Sequence, residues 1–208
     1  NGFDQAFSGF SKNSMGFWAQ RTSIAYKGYA EGRQPIFKLS DVDYIQERIP
    51  EIEYISPGHN LGAFGGAPPI VVRGTKTDNF TIFGNYPNYA TITVKKLFDG
   101  GRWINEEDMR LERKIAIIGE GTVDRLFDID EDPIGEYIKI NDINFKVVGI
   151  YKFSRNSGFG SDSDIYIPFS TFAKVYNTGD KFGFMFITGY DYVNPEYLET
   201  TVLDNLKL

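Results

Sequence analysis

The sequence predicts an α+β fold in which two α/β parts, residues 1–57 and 164–208, flank a β-rich insertion spanning residues 58–163. Three observations predict it. The head and the tail both alternate short apolar strands with amphipathic helices. Composition changes at Gly58, where the glycine-rich run GHNLGAFGGAPP begins, and changes back after the polar loop from Ser154 to Ser163, SRNSGFGSDS. Between them lie short apolar runs separated by turn residues, the pattern of sheet.

In the head, Phe3, Phe7 and Phe10 recur at helical spacing and predict a short amphipathic helix within Asn1 to Asn13. Phe17 to Tyr29 is rich in aromatic and β-branched residues and predicts a strand, with Gly28, Gly32 and Arg33 in the turn after it. Ser40 and Asp43 have the spacing of a capping box, Leu39 can staple against Tyr44, and Val42, Ile45 and Ile49 form a buried stripe up to Pro50. Ile52 to Ile55 is the next strand, closed by Ser56-Pro57-Gly58.

The insertion opens on an irregular connection to Pro69 and continues as strands at Ile70 to Arg73, Phe80 to Phe83 and Ala90 to Lys95. Thr77-Asp78-Asn79 and Tyr86-Pro87-Asn88 are its turns, and Asn105 with Glu106, Glu107 and Asp108 starts one helical turn. Ile115 to Ile118 is an unbroken apolar strand, and Thr122 caps a helix facing inward through Val123, Leu126 and Phe127. Asn141-Asp142 tolerates positive φ, so it predicts a two-residue hairpin turn that sets Ile140 against Ile143 and Ile138 against Phe145, with Val147 on the same face. In the tail, Ile165 to Pro168 and Phe182 to Thr188 predict strands, and Ser170 caps a helix through Tyr176 bearing Phe172 and Val175. Asn194 followed by Pro195 starts a last helix with Leu198, Val202 and Leu206 inside.

Composition narrows the function. The 208 residues carry 18 Phe and 13 Tyr, which favours aromatic packing across strands. Net charge is −6 with no basic run, which removes nucleic acid from the expected partners. With no Cys, thiol chemistry and cysteine-ligated metal are excluded, and with His59 as the single histidine a multi-histidine site is too. No apolar run approaches the ~20 residues that cross a bilayer. The chain begins at Asn1, which reads as a piece cut from something longer.

No catalytic residue, cofactor or metal site is expected. Gly119-Glu120-Gly121 opens like a dinucleotide fingerprint, but Asp124 stands where the third glycine belongs, and a hairpin follows where a crossover to a parallel strand is required. Asp128, Asp130 and Asp132 are spaced like calcium-loop ligands, but Pro133 replaces the glycine and Lys139 the closing Glu, leaving a solvated acidic turn. His59 is expected at the surface without an acidic partner. Asn79-Phe80-Thr81 matches a glycosylation sequon, a triplet common by chance. The loops Gly58 to Pro69 and Ser154 to Ser163 are the candidate contact surfaces.

Several pieces, taken in order, resemble one family. They are Asp41-Val42 through Ile49-Pro50; Ile55-Ser56-Pro57; Gly101-Arg102 with Asp108; and Lys114 to Gly119. Leu126-Phe127, Pro133-Ile134-Gly135 with Ile138-Lys139-Ile140, Phe145 to Ile150, and Ile165 to Phe169 complete the set. Together they resemble the periplasmic core domain of MacB-like ABC transporter permeases, in the wider FtsX-type group. The resemblance implies a porter-like α/β subdomain from head and tail and an inserted Sabre-like β-rich subdomain. It implies a location on the periplasmic face of the bacterial inner membrane, between two transmembrane helices, with Asn1 to Asn13 continuing the first. The implied partners are a cytoplasmic ABC ATPase, a second permease copy and, in some members, a membrane-fusion protein and an outer-membrane channel. The implied function is mechanical coupling of ATP-driven motion to export, with no catalytic residue in this chain. Two other readings stand beside it. One is a secreted or surface carbohydrate- or peptide-binding module, which exposed Trp18 or Trp103 on a concave face would support. The other is a hydrolase with a carboxylate dyad.

Overall fold

A computed structural model describes residues 10–19, 37–63, 67–155 and 159–206. The helix expected at Phe3 and Phe7, the strand beyond Ala19 and the turn at Gly28 to Arg33 lie outside these residues.

Alternating apolar residues build one mixed sheet. Its strands are β1 (Ser14–Trp18), β3 (Ile52–Leu61), β4 (Ile70–Arg73), β5 (Lys76–Asn79), β6 (Ile82–Asn85), β7 (Ile115–Gly119), β8 (Tyr137–Ile140), β9 (Ile143–Tyr151), β10 (Ile165–Pro168) and β12 (Phe184–Gly189). Their order is β1-β12-β3-β6-β10-β7-β9-β8-β4-β5. The pairs β10–β6 and β7–β9 are parallel and the others antiparallel. A separate two-stranded sheet pairs β2 (Phe37–Lys38) with β11 (Lys181–Phe182). The helices are α1 (Leu39–Arg48), α2 (Tyr89–Thr93), α3 (Glu106–Arg110), α4 (Glu120–Leu126), α5 (Phe169–Val175) and α6 (Pro195–Leu206). The α+β class is as expected.

Strand alternation sorts the core into layers. On one sheet face, Met15, Phe17, Ile55, Met185 and Ile187 pack under Ile45 of α1 and Leu198 and Val202 of α6. The same face continues as Val71, Ile82, Ala116, Ile118, Ile138, Phe145, Val147, Ile165 and Ile167 under Leu126 of α4 and Phe172 of α5. The other face presents Phe83, Ile115, Ile117, Tyr166, Phe184 and Phe186 to Tyr89 and Ile92 of α2 and to Ile104.

The hairpin has the expected register, Ile140 against Ile143 and Ile138 against Phe145. Asn141 and Asp142 have φ of 49° and 61°, the left-handed pair of a type I′ turn. Asp142→Gly removes the Cβ from a left-handed position, so it is expected to stabilise the fold by about 0.5 kcal/mol. A denaturant midpoint no higher than that of the parent would contradict this.

Other elements shift, for local reasons. Ala90 to Lys95 forms helix at Tyr89–Thr93, because Tyr89 and Ile92, three apart, both reach the core; the alternating Ala-Thr-Ile-Thr is ambiguous between the two periods. Thr77-Asp78-Asn79 is strand, and the chain turns earlier, at Gly74 with φ of 60°. The next strand is Ile82–Asn85 and not Phe80 to Phe83. β3 runs through Ser56-Pro57-Gly58 to Leu61. Its neighbour β6 joins only from Gly58, so the missing N–H of Pro57 falls where β12 alone is paired. α1 starts at an N-cap Lys38, whose N–H donates to Asp41 at 2.8 Å; Ser40 is already helical. Thr122 and Ser170 lie inside their helices, and their hydroxyls donate to the carbonyls of Ser163 at 2.8 Å and Met109 at 2.6 Å. Asn194 caps α6 as expected, accepting from the Tyr197 N–H at 3.1 Å.

Candidate functional site

The two loops nominated from sequence converge. Ala63, from the Gly58 to Pro69 connection, and Phe159, from the Ser154 to Ser163 loop, both pack on the aromatic layer under α2. Phe159 lies with ring centroids 5.8 Å from Phe83, 5.8 Å from Phe184 and 5.3 Å from Phe186. Trp18 joins at 6.0 Å from Phe159 and edge-on to Phe186 at 5.9 Å. Trp103 packs on Tyr89 and Tyr166. Both tryptophans are half-buried, with their indole nitrogens inside and their rings packed on the aromatic core.

The base of the second loop is built into the sheet. Gly119 and Gly121 donate their N–H groups to the carbonyls of Asp164 at 3.2 Å and Asp162 at 2.9 Å. A Cβ on Gly119 would strike the Asp162 backbone and the Tyr151 hydroxyl, and one on Gly121 the side chains of Ser163 and Asp162. The two glycines therefore admit a turn of this chain, just before β10, in the place where a nucleotide fold would admit a phosphate. The expectation that no parallel strand follows is corrected: β9, the second arm of the hairpin, lies parallel to β7. The polar helix start is nevertheless occupied by the chain itself.

Behind that loop stands a cluster that the sequence did not signal. The Lys95 ammonium sits 4.6 Å from the centroid of Tyr151, 5.0 Å from Tyr166 and 6.0 Å from Tyr89, within cation–π range of the first two. Val94, with φ of 51°, turns the chain from α2 into this cage, a left-handed position unusual for a β-branched residue. The buried Asp164 carboxylate accepts from the Ser161 N–H at 2.7 Å and its hydroxyl at 3.0 Å. Burial pushes Lys95 down to about 8, opposed by the pull of Asp164, and burial pushes Asp164 up. The unfolded lysine, near 10.4, holds its proton where the folded one has lost it, so stability is expected to rise between about pH 8 and pH 10. Tyr89, Tyr151 and Tyr166 are all pushed above 10 by burial, so they oppose the gain at higher pH. Lys95→Met is expected to remove that rise, a difference of about 2 kcal/mol across the interval in urea titrations. Parallel pH profiles for the two proteins would sink this assignment.

The remaining sequence candidates resolve into structure. His59 is half-buried and not at the surface: its ring stacks 5.2 Å from Phe172, its Nδ1 accepts from the Asn60 N–H at 2.9 Å, and burial lowers its pKa. The acidic turn is tied down by its neighbours. Arg73 forks onto Glu131, whose carboxyl it holds down at about 2, and Lys76 binds Asp128 at 2.6 Å. Asp132 accepts from the Ile134 N–H at 3.0 Å. Among the described residues no three His, Asp or Glu side chains group as metal ligands. Of the acids 106–108, Asp108 turns inward, where Arg102 grips it at 2.6 and 3.1 Å and Arg113 adds a contact at 3.3 Å. Arg102 in turn donates its backbone N–H to Val148 on β9.

A family model described as the MacB-like periplasmic core domain matches residues 1–202. The macrolide export ATP-binding/permease protein MacB of Chlorobium phaeobacteroides (strain DSM 266 / SMG 266 / 2430) is 33% identical over 180 residues, 85% of this chain and 24% of that protein. The pyoverdine export ATP-binding/permease protein PvdT of Pseudomonas syringae pv. syringae (strain B728a) is 26% identical over 162 residues, 73% of this chain and 23% of that protein. The chain thus spans about a quarter of the length of these relatives. Among solved structures, the periplasmic region of MacB from Actinobacillus actinomycetemcomitans superposes with a TM-score of 0.75 at 21% identity, covering 96% of this chain and 85% of that one. The extracellular domain of the transporter YknZ from Gram-positive bacteria superposes with a TM-score of 0.64 at 14% identity, covering 82% and 84%.

Proposed function

The chain belongs to the family of MacB-like periplasmic core domains, and from that premise we propose that it is the extracytoplasmic part of an ABC transporter permease. The observation that carries the proposal is the family match across residues 1–202. The chain sits on the periplasmic face of the inner membrane and couples ATP-driven motion in the cytoplasm to export. Its partners are an ABC ATPase, as a fused domain or a separate subunit, and a second permease copy. A membrane-fusion protein and an outer-membrane channel complete the path in the periplasm. No catalytic step falls to this chain.

The layout suits a transmitting element. Residues 1–57 and 164–208 form the porter-like subdomain, and residues 58–163 the Sabre-like one. In support, among the described residues the buried side chains of the core under α1 and α6 come from 15–55 and 169–202, with the half-buried Tyr86 and Met109 of the insertion packed against them. One hydrogen-bonded sheet joins that core to the far edge at β5, so a displacement at the head and tail reaches the insertion through paired strands and not through a loose linker. The binding-module reading asks for exposed Trp18 or Trp103, and both are half-buried against the aromatic core.

Fractionation of the source cells tests the proposal. The native polypeptide is expected to require detergent for release and to carry hydrophobic spans around this segment. A secreted, detergent-independent protein little larger than 208 residues would overturn it.

A further inference from the structure

Where β3 and β6 come together, four buried side-chain atoms have no partner among the described residues: Ser56 Oγ, Asn85 Nδ2 and Oδ1, and Asn88 Oδ1. Ser56 and Asn85 are wholly buried. Register places them together. Gly58 pairs with Asn85, so Ser56, two residues away on the same strand face, is the diagonal neighbour of Asn85 across the pair, with Cα atoms roughly 7–8 Å apart. That face is the one Phe83 and Phe186 occupy, and Phe186 lies directly beside Ser56 on β12. Asn88 closes the group from above: its Nδ2 donates to the Ile55 carbonyl at 2.9 Å, which lays its side chain over β3 next to Ser56. Tyr89 follows Asn88, its ring 5.7 Å from that of Phe186.

The three side chains form no hydrogen bond with one another, yet they offer complementary chemistry. Asn85 supplies an amide donor and an acceptor, Ser56 a hydroxyl that does both, and Asn88 an acceptor. Buried polar atoms are almost always satisfied, and an internal water making about three hydrogen bonds is the usual partner where protein atoms do not reach. The niche is also a fork: below Gly58, β3 has β12 on one side only, and β6 diverges into the turn at Tyr86. We propose that Ser56, Asn85 and Asn88 form a buried binding site for ordered water at this fork, holding at least one molecule that bridges β3 to the start of α2. The site does not depend on the transport reading.

Water-oxygen magnetic relaxation dispersion on this chain counts long-lived internal waters directly. At least one is expected to disappear on going from the parent to Ser56→Ala or Asn85→Leu, and none in Asp142→Gly, which lies elsewhere. An unchanged count in folded variants would overturn the proposal. Should both niche variants fail to fold, a crystal structure of the parent decides. Solvent density within hydrogen-bond distance of Asn85 and Ser56 supports the site. Asn85 bonded directly to protein atoms, with no such density, rejects it.

Discussion

Asp108→Ala is expected to destabilise the fold by about 3 kcal/mol in urea titrations, among the largest effects of any polar substitution in the chain. The Asp108 side chain is fully buried, and its carboxylate is the hub of α3. It accepts two contacts from Arg102, one from Arg113 and one from the Asn105 N–H at 2.9 Å, while its own N–H donates back to Asn105 at 2.9 Å. Truncation strands two guanidinium groups that are only partly in water and removes the capping box. Asp108→Asn keeps the shape and some acceptor capacity, so about half the loss is expected. Burial alone would raise the Asp108 pKa, but the Arg102 and Arg113 contacts and the Asn105 N–H outweigh it and hold the carboxyl low. Its stabilisation is therefore present above about pH 4 and is lost as the pH falls through the lowered value. An acid-unfolding profile of Asp108→Asn that runs parallel to the parent's would contradict this.

Gly119→Ala is expected to cost about 3 kcal/mol, or to prevent folding. Its backbone is ordinary extended chain, with φ of −79°, so the reason is space and not conformation. The added Cβ would fall on the backbone carbonyl of Asp162 and beside the Tyr151 hydroxyl, 2.6 Å away. That hydroxyl donates to the Ser161 carbonyl at 2.8 Å and accepts from the Asp164 N–H at 2.8 Å, so the loop has no free direction in which to yield. Gly135→Ala supplies the contrast: its φ is +89° with open space around it, so only strain of about 1 kcal/mol is expected. Equal costs for the two would contradict the packing explanation.

These two positions show what the sequence could and could not disclose. Asn105 was legible as a cap and the acids after it as a helix start, because capping chemistry is local. That Asp108 turns inward depends on Arg102 and Arg113, and nothing in the spacing says which of three neighbouring acids meets them. Gly119-Glu120-Gly121 was legible only as an incomplete fingerprint, because the group that needs the glycines lies about forty residues on, at Asp162. The hairpin at Asn141-Asp142 was read down to its register, since two left-handed residues leave one turn type. By contrast, the parallel pairing of β7 with β9 and the insertion of β10 between β6 and β7 are long-range choices. The Lys95 cage went unseen for the same reason: Tyr89, Tyr151 and Tyr166 come from three separate elements.

On the proposed function this chain faces the outside of the membrane as part of a permease. The chain has no cysteine, so Ile129→Cys introduces a single thiol into it, at a site 98% exposed on the acidic turn. Labelling of that thiol in the native polypeptide, in intact cells, with a charged reagent that cannot cross the cytoplasmic membrane, tests this placement. The expected result is labelling before lysis, on a protein that then sediments with the membrane. Labelling only after the cytoplasmic membrane is broken would contradict the account.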